Sequence, residues 1–157
     1  MKTVKGDLLA LAKEGKFDII VQGCNCHNVM GSGIARQIRE EFPDAWMADQ
    51  QTLKGDKNKL GHYTIGMGGR LVIINAYTQY NTAKQAGEDV FDYHACYEVL
   101  NKISERFGKW RIGLPMIGMG LAGGDPVRIM NMLEDFAMRM SAQGGSATLV
   151  EYDGGNN

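Results

Sequence analysis

Two side chains in the sequence could transfer protons, and each lies in or beside a glycine-rich segment. Asp125 directly follows the run 118–124, and His27 lies within the run 23–33. Carboxylates and imidazoles are common general acids and bases in hydrolytic sites. Asp125 can equally cap a helix, because it precedes Pro126 and an amphipathic stretch. His27 can equally be an exposed loop residue, so both interpretations stay open for both side chains.

The cysteines give little support to metal chemistry. There are three, Cys24, Cys26 and Cys96, and an odd number with one Cys-x-Cys pair is a poor disulfide framework. The pair has no second pair or histidines at zinc spacing, although His27 lies next to it. We therefore expect reduced structural thiols, no bound metal and no cofactor.

Hydrophobic patterning predicts the elements that must position these residues. Predicted strands cover residues 3–5, 17–21, 62–66, 71–77, 111–115 and 147–152. Predicted helices cover residues 8–12, 34–42, 43–53, 93–107 and 126–143, and loops cover residues 54–59 and 81–88. Ser32 should cap the second helix. The buried stripe of the fourth helix should be Tyr93, Tyr97, Leu100 and Phe107.

Strands alternate with helices, without a linker or a repeat, and this order predicts an α/β fold. We expect a three-layer α/β/α sandwich with a mixed, mainly parallel central sheet. Residues 1–153 should form a single domain and residues 154–157 a flexible tail. Ligands of such sheets bind at the carboxyl ends of strands. Both glycine-rich loops follow strands and lead into helix N-termini, where N–H groups and the helix dipole favour an anion such as a diphosphate.

Charge and composition exclude some classes of partner. The formal net charge is −1, so a general electrostatic grip on nucleic acid or on an anionic membrane is not indicated. No apolar run approaches the roughly 20 residues that cross a bilayer, and the first residues lack the apolar stretch of a secretory signal. We expect a protein of the cytoplasm.

The order of the motifs resembles the macrodomain family of ADP-ribose-binding modules. Gly6-Asp7-Leu8 follows the first strand, and the second strand enters a Cys-Asn-Cys-x-x-x-Met-Gly-x-Gly-Ile-Ala loop that starts at Cys24. The helix after that loop ends in Phe42-Pro43, and a third motif follows the strand 111–115. The branch it resembles contains ADP-ribose-1″-phosphate phosphatases, related phage proteins and ADP-ribosyl hydrolases. A dinucleotide fingerprint fails at Arg36, and no P-loop is present.

The resemblance implies a set of ligand-binding residues. Asp7, beside Leu8, would accept a hydrogen bond from the adenine amino group, Asn25 would contact the distal ribose, and Tyr152 would line the adenine pocket. Asp7 could instead bond only its own turn, Asn25 only its own loop, and Tyr152 could be ordinary edge packing. The backbone around the diphosphate and distal ribose would come from Gly31, Ser32, Gly33, Ile34, Gly118, Met119, Gly120, Leu121 and Ala122.

The resemblance also bears on the reaction. Asp125 matches the aspartate of a Gly-Gly-Leu-Asp-Trp pattern, although here it directly follows Gly124 and precedes Pro126. Some relatives use a lysine nucleophile near Gln79; the nearest lysine here is Lys84. We therefore expect an ADP-ribose-1″-phosphate phosphatase, with Asp125 or His27 handling the proton. The alternatives are an ADP-ribosyl hydrolase and a non-catalytic reader, and nucleic acid is expected only as an ADP-ribosylated substrate.

Overall fold

A computed structural model describes residues 1–82 and 90–154. The strands are β1 Lys2–Gly6, β2 Ile19–Cys24, β3 Tyr63–Gly68, β4 Leu71–Tyr77, β5 Arg111–Leu114 and β6 Ser146–Tyr152. The helices are α1 Leu8–Lys13, α2 Gly33–Glu41, α3 Pro43–Gln50, α4 Tyr93–Phe107 and α5 Pro126–Ala142, with a 3₁₀ turn at Lys57–Lys59. Among the described helices, none is long and apolar enough to cross a membrane.

The six strands form one sheet in the order β1-β6-β5-β2-β4-β3. All neighbouring pairs are parallel except β3 and β4, which form an antiparallel hairpin at one edge. The prediction of a mixed, mainly parallel sheet is therefore confirmed. Because β1, β6, β5, β2 and β4 run the same way, the loops that follow them emerge at one end of the sheet.

Two hydrophobic clusters cover the two faces of the sheet, which gives the three-layer sandwich that the sequence predicts. Alternate residues of β2 divide between them: Ile19 and Val21 pack with the residues of α4 and α5, whereas Ile20 packs with α1 and α2. This alternation follows from the two-residue period of a strand. A strand buried on both faces needs apolar residues at every position, and β2 supplies them at 19–21.

The structure corrects some local expectations. In α4, Tyr97 is 50% exposed, and Cys96, Val99 and Ile103 line the core instead, since a tyrosine can keep one end in water. Ser32 occupies the N-cap position of α2, but its side chain makes no capping hydrogen bond. The start of α2 differs from an ordinary helix N-cap because Gly33, the residue after Ser32, has a φ of 57°.

Two further expectations concern the loops. Lys59 ends the predicted loop 54–59, but it is only 8% exposed, and its side chain points into the protein. Most of the predicted loop 81–88, including Lys84, and residues 155–157 of the predicted tail lie outside the described residues.

Candidate functional site

A cavity of about 380 Å³ opens at the carboxyl ends of β1 and β6. Nine residues line it: Gly6, Asp7, Leu8, Gly33, Ile34, Gln37, Pro115, Val150 and Tyr152. Five of them are residues that the sequence assigned to ligand binding, although they come from distant parts of the chain. The walls are mostly apolar, with one carboxylate and one amide, as is usual for small-molecule sites.

Asp7 both stabilises the fold and faces the cavity. Its Oδ1 caps α1 by accepting a hydrogen bond from the N–H of Ala10 at 3.0 Å. The other carboxylate oxygen takes part in no hydrogen bond with a described residue. The two interpretations of Asp7 are therefore compatible, because each needs a different oxygen.

The loop after β2, residues 25–32, is here called the β2 loop, and Asn25 braces it from within. Its Oδ1 accepts a hydrogen bond from the N–H of His27, and its Nδ2 donates to the carbonyl of Val29, both at 2.9 Å. The side chain thus closes a small turn of its own loop. Contact of Asn25 with a ligand stays a prediction.

The end of the β2 loop presents backbone donors. Within the described residues, the N–H groups of Gly31, Ser32, Gly33 and Ile34 have no hydrogen-bond partner. They lie at the start of α2, where unpaired N–H groups and the helix dipole attract anions. Gly33 and Ile34 also line the cavity, so these donors lie next to it.

The loop after β5, residues 115–125, is here called the β5 loop, and its backbone holds it in place. Gly118 has a φ of 74°, and its carbonyl accepts a hydrogen bond from the N–H of Gly124 at 2.8 Å. The carbonyl of Ala122 accepts from Val90 and Phe91. Within the described residues, the N–H groups of Gly120 and Leu121 have no partner, and the Leu121 side chain is exposed.

The β5 loop packs against Gly23, near the end of β2. A Cβ on this residue would lie 2.8 Å from Thr78 Oγ1 and 2.9 Å from Ile117 Cγ1, closer than real Cβ contacts allow. Glycine therefore lets Ile117 of the β5 loop pack directly against β2.

The two candidate proton-transfer residues lie outside the lining of the cavity. Asp125 caps α5, with its Oδ1 3.0 Å from the N–H of Val127, and its own N–H donates to the Tyr93 hydroxyl. The Nε2 atom of His27 lies 3.2 Å from Asn81 Oδ1, and its ring packs edge-on against Tyr80. The capping interpretation of Asp125 is thus confirmed, and catalysis by either residue stays a prediction.

The thiols beside the β2 loop are suited to packing. Burial raises the pKa of Cys26 to about 11 and raises the pKa of Cys24 well above its usual range. Both therefore stay protonated at neutral pH, and a protonated thiol is a poor nucleophile. In the part of the chain that the structure describes, no three His, Cys, Asp or Glu side chains come together as metal ligands.

Comparison with known proteins assigns the fold to a family. The family model of the Macro domain matches residues 21–132. The chain belongs to the macrodomain family. An uncharacterized 17.5 kDa protein of Enterobacteria phage T4 is 36% identical over 149 aligned positions, and the match covers 89% of this chain and 92% of the phage protein. An ADP-ribose 1″-phosphate phosphatase of Candida albicans is 29% identical over 129 aligned positions, and the match covers 76% of this macrodomain and 83% of the yeast protein.

Solved structures of other macrodomains share the fold. The macrodomain of Mycobacterium tuberculosis DarG matches with a TM-score of 0.72 and 20% identity over 95% of each chain. Thermosipho africanus DarTG, solved in complex with ADP-ribose, matches with a TM-score of 0.71 and 15% identity, over all of this chain and 43% of that one. At such identities the likeness concerns the fold.

Two features of this macrodomain's site escaped the sequence interpretation. Gln37 lines the cavity because it lies one helical turn after Ile34, a spacing that could have indicated it. Lys59 contacts the β2 loop from a segment 31 residues away from Asn28. No local pattern indicates that contact, since it depends on how α3 and the 3₁₀ turn pack.

Proposed function

We propose that this macrodomain binds ADP-ribose and hydrolyses ADP-ribose-1″-phosphate to ADP-ribose and phosphate. The observation that carries the proposal is the cavity beside Asp7, which adjoins the unpaired N–H groups at the start of α2. An apolar pocket with one acceptor suits an adenine, and backbone donors at a helix N-terminus suit the diphosphate attached to it.

At the adenine end, the free oxygen of Asp7 would accept a hydrogen bond from the adenine amino group. Leu8, Ile34 and Pro115 supply apolar wall, and the half-exposed ring of Tyr152 can lie against a base. Gln37 offers an amide to the base or to the adjoining ribose.

At the diphosphate, the two loops would act from opposite sides. The N–H groups of Gly31 to Ile34 would donate from the end of the β2 loop and the start of α2, and those of Gly120 and Leu121 from the β5 loop. Donors already fixed by the fold stabilise an anion without reorganising, and the same kind of donor stabilises charge that develops on a phosphoryl group. Asn25 lies before these donors in the loop, and its amide would contact the distal ribose.

The reaction would be attack of water on phosphorus. The bond between phosphorus and the 1″ oxygen breaks, and that oxygen leaves with a proton to become the 1″ hydroxyl of ADP-ribose. Asp125 or His27 would take the proton from water or return it to the leaving oxygen. Gln79 stands near the position of a nucleophilic lysine in some relatives, and its amide, which donates to the Asn81 carbonyl, is not a nucleophile. This favours attack by water over a lysyl intermediate. The similarity of this chain to the Candida albicans phosphatase supports the same reaction.

Calorimetry with ADP-ribose and a phosphate-release assay with ADP-ribose-1″-phosphate test the proposal. The variant Asp7→Asn keeps a capping side chain, so it should melt like the wild type while its ADP-ribose affinity falls about tenfold or more. Failure of the wild type to bind ADP-ribose would overturn the whole proposal.

A second variant tests the chemistry. Asp125→Asn also keeps a good N-cap but removes the carboxylate, so it should bind ADP-ribose normally and release phosphate at least a hundredfold more slowly. Normal turnover would shift the role to His27, which His27→Asn tests in the same assay. Binding of ADP-ribose without release of phosphate from ADP-ribose-1″-phosphate would rule out the phosphatase activity. Release of ADP-ribose from a labelled protein or nucleic acid would then indicate an ADP-ribosyl hydrolase. If none of these labelled substrates reacts, the result would indicate a non-catalytic reader.

A further inference from the structure

A buried lysine contacts the β2 loop from the interior of the protein. Lys59 is 8% exposed, and its Nζ donates to Asn28 Oδ1 at 2.6 Å and to Thr52 Oγ1 at 2.9 Å. Among the described residues, no carboxylate lies within 4.0 Å of this ammonium group. Removing a charge from water is costly, and neutral hydrogen-bond acceptors offset that cost only in part. The Tyr77 ring, whose centroid lies 5.4 Å from Nζ, and the electrostatic attraction of Asp49 offset more of it. The hydrogen bonds of the ammonium group nevertheless go to Asn28 and Thr52, which ties it to the β2 loop.

The partner of Lys59 has an unusual backbone. Asn28 has a φ of 59°, and it is the one residue other than glycine with a positive φ among the described residues. The left-handed conformation costs an ordinary residue about 1 kcal/mol, and asparagine adopts it more readily than most. It turns the chain three residues before Gly31, so it sets the direction in which the loop approaches α2.

Three hydrogen bonds connect Asn28 with the segment 50–59. Its Oδ1 accepts from Lys59, its Nδ2 donates to the Thr52 carbonyl, and its own carbonyl accepts from Gln50 Nε2. The single proton of the Thr52 hydroxyl goes to the Asp49 carbonyl at 2.6 Å. This set fixes both the side chain and the peptide of one residue. An isolated pair on the surface would not hold a backbone conformation in this way.

We propose that Lys59 is a positioning residue for the diphosphate part of the site. It holds Asn28 in the left-handed conformation and thereby fixes the direction of the N–H groups of residues 31–34. The inference rests on the proposed function, because it assigns those groups to the diphosphate. Lys59 itself contacts no ligand in this scheme, so its effect depends on Asn28.

The experiment is a double-mutant cycle with two ligands. Lys59→Met replaces the ammonium with an apolar side chain of similar length, and Asn28→Gly keeps the backbone conformation accessible while removing the anchored side chain. Affinities of the wild type, both single variants and the double variant are measured for ADP-ribose and for adenosine. Under the proposed function, adenosine would occupy the cavity beside Asp7, but it lacks the diphosphate.

Lys59→Met and Asn28→Gly should each weaken ADP-ribose binding about tenfold, whereas adenosine affinity should stay within about twofold. The double variant should bind ADP-ribose about as well as the weaker single variant, because both changes remove one interaction. Equal losses for both ligands would show a merely structural role. Additive losses, or unchanged ADP-ribose affinity in a folded Lys59→Met protein, would overturn the proposal.

A measurement without ligand separates this inference from the proposed function. The amide resonances of Gly31 and Gly33 should shift in both single variants, and those of Gly118 and Gly120 should not. If the wild type binds no ADP-ribose, the proposed function fails, and these resonances still decide whether Lys59 sets the loop. Unshifted resonances of Gly31 and Gly33 would overturn that role. If Lys59→Met does not fold, Asn28→Gly carries the same comparison.

Discussion

The β2 loop and the β5 loop lie at the same end of the sheet, but they are held in different ways. Beyond the backbone hydrogen bonds at Cys26, side chains hold the β2 loop: Asn25 from within and Lys59 through Asn28. Up to its last residue, where the N–H of Asp125 donates to the Tyr93 hydroxyl, the β5 loop is held mainly by backbone hydrogen bonds, and its Gly118 and Gly124 pack against Phe91. The β2 loop should therefore be sensitive to the loss of a side chain, and the β5 loop to the gain of one.

The largest effect should come from adding a methyl group to the β5 loop at Gly118. A Cβ there would lie 2.5 Å from Phe91 Cδ1, and the φ of 74° strains any residue other than glycine. Gly118→Ala should lower the free energy of unfolding by about 2–4 kcal/mol, measured by urea denaturation. ADP-ribose binding should be lost with it.

The matched control lies two residues further on. Gly120 has no heavy atom within 4 Å of its ideal Cβ, and its φ is not in the left-handed region. Gly120→Ala should leave the stability unchanged to within about 0.5 kcal/mol. If both variants lose the same stability, glycine packing is not what distinguishes the β5 loop.

A smaller effect should come from removing a side chain of the β2 loop. Asn25→Ala deletes two hydrogen bonds and should lower the free energy of unfolding by about 1–2 kcal/mol. ADP-ribose affinity should fall as well, because residues 31–34 lose their support. Val29→Ala is the control, since Val29 is half-exposed and contributes only its carbonyl to the brace. Equal effects of the two variants would contradict a role for the Asn25 side chain.

The smallest effect concerns pH and the support beneath the β2 loop. Asp49 is buried at the end of α3 and accepts a hydrogen bond from Tyr77; burial raises the pKa of its carboxyl above 3.8. The fold thus favours the protonated form, so the contribution of Asp49 to stability is present below pH 3.8 and is lost as the pH rises through the raised pKa. The stability of the wild type relative to Asp49→Asn should fall over that range.

A carboxylate at the opposite end of the sheet gives the control of opposite sign. Hydrogen bonds from the Arg111 side chain lower the pKa of Asp18 below 3.8. Its contribution is present above pH 3.8 and is lost as the pH falls through the lowered pKa. The stability of the wild type relative to Asp18→Asn should therefore rise with pH. Parallel curves for the two variants would contradict the assignment of burial to Asp49.

The elements and the mainly parallel character of the sheet could be predicted much further than the supports of the loops. Runs such as 19–21 show their burial in their own residue types, and the glycines of both loops mark where strands end. Tyr97 was placed on the wrong side of α4, because an aromatic residue at helical spacing fits either a core or a half-exposed face. Which of these two positions an aromatic residue takes depends on neighbouring residues that only the tertiary packing brings together.

The candidate site shows the same limit. Asp7, Leu8, Gly33, Ile34 and Tyr152 were predicted as one site and do share a cavity, because each belongs to a motif. Lys59 lies in the predicted loop 54–59, whose sequence gives no sign of a buried lysine. Only its long-range contact with Asn28 shows that its side chain points inward. Sequence patterns indicate residues that meet a ligand more readily than residues that act through a neighbour.

Gly23 has a thermodynamic consequence for both loops. Because Ile117 packs directly against the end of β2 there, a buried contact fixes the β5 loop relative to the strand that leads into the β2 loop. A site whose width is fixed before the ligand arrives loses little conformational entropy on binding, so more of the interaction energy remains as affinity. A larger residue at this single position would displace Ile117 and thereby widen the gap between the donors of the two loops.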